Sequence, residues 1–156
     1  MSDGSPSIET VELSPGLLGV AAALLAAHMS GWSDTSMGEC EQALRRLLDF
    51  PGARFVLARR SGEYCGFASL HWGFSTTKGR PILRVQDLFV LTEHRHQGIA
   101  RALLRHAVEL ARAGSANRLQ LETGTHNVAA RSLYESLGFE WFPQKEIYML
   151  FLQSQG

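Results

Sequence analysis

The sequence predicts a single domain of the α/β class, and three of its features carry that prediction. The apolar, strand-like run Leu88-Phe89-Val90-Leu91 is followed by a short glycine-bearing turn, Arg95-His96-Gln97-Gly98-Ile99-Ala100, which opens the helical stretch Arg101 to Arg112. Beyond it, strand alternation in Leu119-Gln120-Leu121-Glu122-Thr123 gives way to helical spacing of Ala130, Leu133, Tyr134 and Leu137. Upstream, Ser61-Gly62 lies between two strand-like runs and joins them as a hairpin.

In chain order, a strand is expected over Ile8 to Leu13. Ser14 then stands as a helix cap with Pro15 at the first helical position, where its missing N–H has no intrahelical acceptor to lose. A second helix starts at the capping box Ser36-Met37-Gly38-Glu39 and carries its apolar face on Ala43, Leu44, Leu47 and Leu48. Pro51-Gly52 turns the chain into strands over Arg54 to Arg59, Tyr64 to Trp72 and the central Ile82 to Leu91. Helix Gly98 to Ala113, strand Asn117 to Glu122 and helix Asn127 to Leu137 follow, with Gly138 placed to stop the last helix as a C′ glycine. Two short strands close the chain, near Phe139 to Phe142 and Ile147 to Leu152, joined through Pro143-Gln144-Lys145.

A chain of 156 residues is long enough to bury about two-thirds of the surface of its unfolded form in one core. Fifteen basic and fifteen acidic residues leave a formal net charge of +0, so no overall field favours nucleic acid or an anionic membrane as partner. The longest apolar run, Leu17 to Ala27, is too short to span a bilayer, and Met1 to Pro6 lack the basic start of a signal peptide, so a cytoplasmic protein is expected. Cys40 and Cys65 have no metal-binding spacing and read as buried free thiols. The six histidines, at 28, 71, 94, 96, 106 and 126, are scattered, and no metal is expected.

The turn before the central helix has the chemistry of a pyrophosphate cradle. A helix start leaves its first N–H groups without intrahelical acceptors and carries the positive end of the macrodipole. Gly98 lets a ligand approach the main chain without a Cβ in the way, Ala100 is nearly as small, and Arg95 adds a guanidinium fork suited to phosphate oxygens. The other nucleotide-binding loops are missing: there is no G-x-x-x-x-G-K-[ST], and no G-x-G-x-x-G near the amino terminus.

The segment Arg95 to Ala100 resembles the Arg/Gln-x-x-Gly-x-Gly/Ala turn of the GNAT superfamily of N-acetyltransferases. The stretch from Leu119 through Asn127, Ala130, Leu133-Tyr134 and Gly138-Phe139 resembles the second cofactor-binding half of the same superfamily. The resemblance covers essentially the whole chain, with its specificity between residues 82 and 139. It implies a mixed central sheet of about seven strands with helices on both faces. It also implies acetyl-CoA as co-substrate, held by Arg95, His96, Gln97, Gly98, Ile99 and Ala100 at the pyrophosphate and by Asn127 at the pantetheine or the start of its helix; Asn127 reads equally as a simple N-cap. Leu88, Phe89 and Val90 match the positions where a bulged strand splays open to take the pantetheine arm, with an oxyanion-type N–H on Phe89 or Val90.

By position, Tyr134 matches the acid that protonates the departing thiolate, against the alternative of an aromatic core residue with its hydroxyl satisfied. Glu122 matches the base found in enzymes that acetylate protein amino termini, against that of an exposed strand carboxylate. Polyamine acetyltransferases have a carboxylate where this chain has Gln86, with the following Asp87 on the opposite face, which leaves Glu122, Glu93, His126 or water as proton acceptor. Trp32 and Asp34, with Trp72 and Gln86, are the candidates on the acceptor side; Trp72 and Phe74 read equally as core or homodimer contacts. The expected function is acetyl transfer from acetyl-CoA to a primary amine of a small molecule by direct attack in a ternary complex. A protein amino terminus, an aminoglycoside amine, or acyl-CoA binding without catalysis are the alternatives.

Overall fold

Five strands form one sheet in the order β1-β2-β3-β4-β5 in the computed structural model, which describes residues 4–152. The chain divides after Glu122 into two units, and the sheet belongs to the first. Strands β1 (Ile8–Glu12), β2 (Ala53–Arg60), β3 (Glu63–Ser75) and β4 (Arg80–Val90) pair antiparallel in succession, and β5 (Arg118–Leu121) joins β4 in parallel. Each connection has a local cause. Ser61 and Gly62 both take positive φ, 53° and 76°, the conformation a two-residue type I′ hairpin turn requires. The parallel step from β4 to β5 needs a crossover, which helix α3 (Ile99–Ala113) supplies.

Alternation along β2 and β3 sends side chains to two covered faces, so both strands are buried for most of their length. Helices α1 (Leu18–Met29) and α2 (Met37–Asp49) pack on one face, where Leu18, Ala21, Ala22, Leu24, Cys40 and Leu44 meet Phe55, Leu57 and Phe67. Phe55 and Phe67 stack at 4.6 Å. Helix α3 covers the other face and brings Ile99 against Gly66, where an added Cβ would lie 2.6 Å from the Phe89 carbonyl oxygen. Helices therefore lie on both faces, as expected.

Two local expectations meet different outcomes at the helix starts. Ser36 accepts the Glu39 amide at 3.2 Å and caps α2, as the capping-box spacing predicts. Ser14 makes no side-chain cap bond, because the chain enters α1 through a 3-10 turn, Pro15–Leu17, closed by the Leu17 amide on the Ser14 carbonyl at 2.9 Å.

In the second unit, helix α4 (Val128–Ser136) starts at Asn127, whose Oδ1 accepts the Ala130 amide at 3.1 Å. It ends in a Schellman motif: Gly138 has φ 92°, its amide bonds the Glu135 carbonyl, and the Phe139 amide reaches back to the Tyr134 carbonyl, both at 3.0 Å. The two closing strands expected near 139–142 and 147–152 do not form, so five strands replace about seven. Residues Ile147 to Leu152 are apolar at nearly every position, from 58% exposed at Ile147 to 89% at Tyr148. A run of that kind is a strand only where an edge pairs with it and both faces are covered, and this unit has no strand among its described residues to offer the edge.

Phe67 lies at the centre of the first core with no exposed surface. Phe67→Ala is expected to lower unfolding free energy in urea by about 3–5 kcal/mol, whereas truncating the exposed Phe74 stays within roughly 0.5 kcal/mol.

Candidate active site

The site grows from an interruption in strand β4. Ser69 stands opposite Asp87 and Leu70 opposite Val85, so Gln86 has no partner on β3 and forms a bulge. On its other edge β4 pairs with β5 only as far as Val85 opposite Leu121. From Gln86 onward that edge has no ladder partner on β5. The Leu91 amide donates to the Cys65 carbonyl at 2.8 Å, and antiparallel alternation then directs Phe89 and Asp87 toward β3 and Leu88 and Val90 toward the unpaired edge. Of the two amides expected to serve as an oxyanion donor, Val90 faces the open edge and Phe89 faces β3.

The turn beyond β4 is shaped by backbone conformation more than by clearance. Gly98 caps α3 at φ 83°, a left-handed geometry that glycine takes without strain, and a Cβ there would meet only Ile8, at 3.9 Å. His96 also has positive φ, 63°. The first amide to bond inside the helix is that of Ala102, to the Gly98 carbonyl at 3.0 Å, so Ile99 and Ala100 present theirs to the helix start. Arg95 donates from Nε to the Val90 carbonyl at 3.1 Å, tying the turn to the open edge. Arg60, which sequence patterns did not single out, donates to Gln97 Oε1 at 2.6 Å and adds a second guanidinium to the same turn.

On the α1 face of β4 a cavity of about 460 Å³ is lined by His28, Trp32, Phe89, Leu91, Glu93 and Arg95, among others. Trp32 is 67% exposed and meets His28 edge to face, with ring centroids 4.8 Å apart; Phe89 lies 5.1 Å from the same imidazole. His28 Nε2 is 3.4 Å from Asp87 Oδ1, and Ser69 Oγ donates to Asp87 Oδ2 at 2.8 Å. The His28 bond, aided by Ser69, holds the Asp87 carboxyl below its ordinary range against the opposing effect of burial. His28 was not among the sequence candidates. Its one sequence signal, a histidine in the last turn of an apolar helix, says nothing of the carboxylate it meets.

The remaining candidates lie on separate elements of the chain. Asp34 is exposed and does not line the cavity. Gln86 is the exposed bulge residue. Trp72 packs beneath Gly114, where an added Cβ would lie 2.5 Å from its ring, at the end of α3 remote from Gly98. Glu122 is exposed one residue past the last β5 pair. In the second unit, Tyr134 is half-buried, its ring 5.9 Å from Phe139, and burial raises its phenol pKa above the ordinary value. Asn127 is occupied as the α4 cap. No cluster of three or more potential metal ligands occurs among the described residues.

The family model described as "Acetyltransferase (GNAT) family" matches residues 19–139. An uncharacterized N-acetyltransferase of Bacillus subtilis, YhfO, is 36% identical over 100 residues, covering 64% of this chain and 67% of that protein. A streptothricin acetyltransferase of Streptomyces lavendulae is 35% identical over 91 residues, 58% of this chain, and the match spans 46% of that protein, less than half its length. In fold, an aminoglycoside N-acetyltransferase solved in complex with CoA aligns with a TM-score of 0.75 over 99% of each chain, at 16% identity.

A carboxylate whose pKa is depressed on folding adds stability that is present above its unfolded pKa and is lost as pH falls through the folded one. The stability that the Asp87 carboxylate contributes over Asp87→Asn is therefore expected only where that carboxyl is ionised. It should shrink below about pH 4 in acid-unfolding measurements, where the unfolded carboxyl protonates and the folded one follows.

Proposed function

The chain belongs to the acetyltransferase (GNAT) family, and from that premise we propose that it is an N-acetyltransferase acting on a primary amine of a small molecule by direct attack in a ternary complex. The observation that carries this reading is the continuity of an unpaired β4 edge, a left-handed Gly98 cap and an aromatic cavity around one strand end. Each part suits one portion of the reaction. Leu88 and Val90 offer main-chain groups to an extended, amide-bearing arm in the manner of a missing strand. The start of α3, with Ile99 and Ala100 amides and the guanidinium groups of Arg95 and Arg60, suits a pyrophosphate. Acetyl-CoA is the co-substrate that has both in one molecule.

The acceptor side supports a small amine. A volume of about 460 Å³ falls in the range of small-ligand sites, and the Trp32 and Phe89 faces with the Glu93 carboxylate suit a cationic nitrogen before it reacts. An antibiotic amine is the second reading, favoured by the similarity to a streptothricin acetyltransferase. Free thiol released from acetyl-CoA in the presence of each member of an amine panel separates these readings. Binding of acetyl-CoA without release from any acceptor supports a non-catalytic binding module instead.

Transfer leaves a thiolate that needs a proton. Tyr134 fits as its donor because burial keeps the phenol protonated, and its place in the Asn127…Tyr134…Gly138-Phe139 pattern is that of the family acid. The Val90 amide is assigned to the carbonyl oxygen as negative charge develops there. Glu122 has the position of the family base but is exposed, one residue past the last β5 pair.

Two variants test the assignments. Gly98→Val forces a branched residue into a left-handed backbone at the helix start and is expected to raise the CoA dissociation constant at least about tenfold in calorimetric titration; near-normal affinity in the folded variant removes the turn from the binding site. Tyr134→Phe keeps the ring and its Phe139 contact but removes the acid. Its single-turnover rate should fall toward the range of about 10²–10⁴-fold, with CoA affinity little changed, and a wild-type rate across the pH range assigns the proton to another group.

A further inference from the structure

We propose that His28, oriented by Asp87 and Ser69, is the catalytic residue that takes the proton from the acceptor amine. The inference rests on the acetyl-transfer reading above and names the base of that same reaction, in place of Glu122. It starts from the placement of three polar side chains among apolar and aromatic neighbours. Ser69 on β3 and Asp87 on β4 are cross-strand partners, and Asp87 reaches His28 in the last turns of α1. His28 is a wall of the cavity, with Trp32, Phe67 and Phe89 around its ring. The other charged groups on that cavity are Glu93 and Arg95.

The geometry sets the imidazole's role. A carboxylate facing Nε2 favours the tautomer with its proton on that nitrogen, which leaves the Nδ1 lone pair as the acceptor. The same carboxylate stabilises the imidazolium once formed, and Ser69 keeps Asp87 from turning away. His28 has 18% of its side-chain surface exposed, enough to pass a proton to solvent through the cavity while most of the ring is fixed by packing. Glu122 is exposed and has no comparable set of partners among the described residues.

The proton and electron balance is complete without another reactant. The ammonium gives one proton to His28 Nδ1, and the freed lone pair forms the C–N bond at the thioester carbonyl. As the C–S bond breaks, its electron pair leaves on sulfur, which takes the Tyr134 phenol proton. The second proton lost by nitrogen restores the phenol through solvent, and the imidazolium returns its own proton to water. An alkylammonium has a pKa near about 10 and holds its proton at neutral pH, so removal of that proton is a step worth catalysing.

The test is the pH dependence of kcat/KM for acetyl-CoA-dependent thiol release in wild type, His28→Gln, Asp87→Asn and Glu122→Gln, with CoA affinity measured alongside. His28→Gln is expected to lose about 10²–10⁴-fold near neutral pH, to recover at alkaline pH as the amine deprotonates unaided, and to keep CoA affinity within twofold. Asp87→Asn should displace the acidic limb of the profile while leaving it present, which a part that only braces the fold would not do. If His28→Gln fails to fold, the displaced limb in Asp87→Asn carries the test. A wild-type limb in both folded variants, or a limb altered only by Glu122→Gln, overturns the proposal. Wild-type protein that binds acetyl-CoA but releases no thiol with any amine overturns the acetyl-transfer reading itself, and this inference with it.

Discussion

The unequal pairing of β4 is the constraint on which the rest of the site depends. Its β3 side is paired along the strand, interrupted at Gln86, whereas its β5 side is paired only to Val85. A strand held on one edge and open on the other keeps a fixed shape while leaving main-chain donors and acceptors available, which an isolated loop does not do. The bulge also increases local twist, turning the following residues relative to those before it. Arg95 then ties the turn that follows to the Val90 carbonyl, so the open edge and the start of α3 are held together by a side-chain bond as well as by chain connectivity.

The same strand end couples the two layers of the first unit. Phe89 extends the aromatic contacts of the core from Phe55 and Phe67 toward His28 and Trp32. Two residues earlier, Asp87 puts a carboxylate on that face, where it costs desolvation and is compensated by Ser69 and His28. A half-buried polar group of this kind restricts how α1 can sit on the sheet, since sliding the helix would separate His28 from Asp87 and leave the carboxylate with one partner. Packing and chemistry therefore make the same demand on the position of α1.

Much of the local structure was legible in residue order. The Ser36 cap, the Ser61-Gly62 hairpin and the Gly138 stop depend on interactions among residues close in sequence, and each formed where its pattern placed it. Ser14 differed because the 3-10 turn closed by its own carbonyl replaced a side-chain cap. The two closing strands were expected and did not form, because an apolar run carries no record of whether an edge will be available to it.

The sequence by itself determined the family pattern, the strand–turn–helix around Gly98 and the helix from Asn127 to its glycine stop, because those features are encoded over a few residues by backbone preference and capping. Only the tertiary structure decided that Gln86 is the bulge, that Trp72 lies under Gly114, that Arg60 joins Gln97, and that His28 meets Asp87. Each of these is a contact between elements distant along the chain, fixed by strand register and helix placement. Periodicity identifies which face a residue occupies, but the partner it meets there is chosen by the packing of the whole sheet.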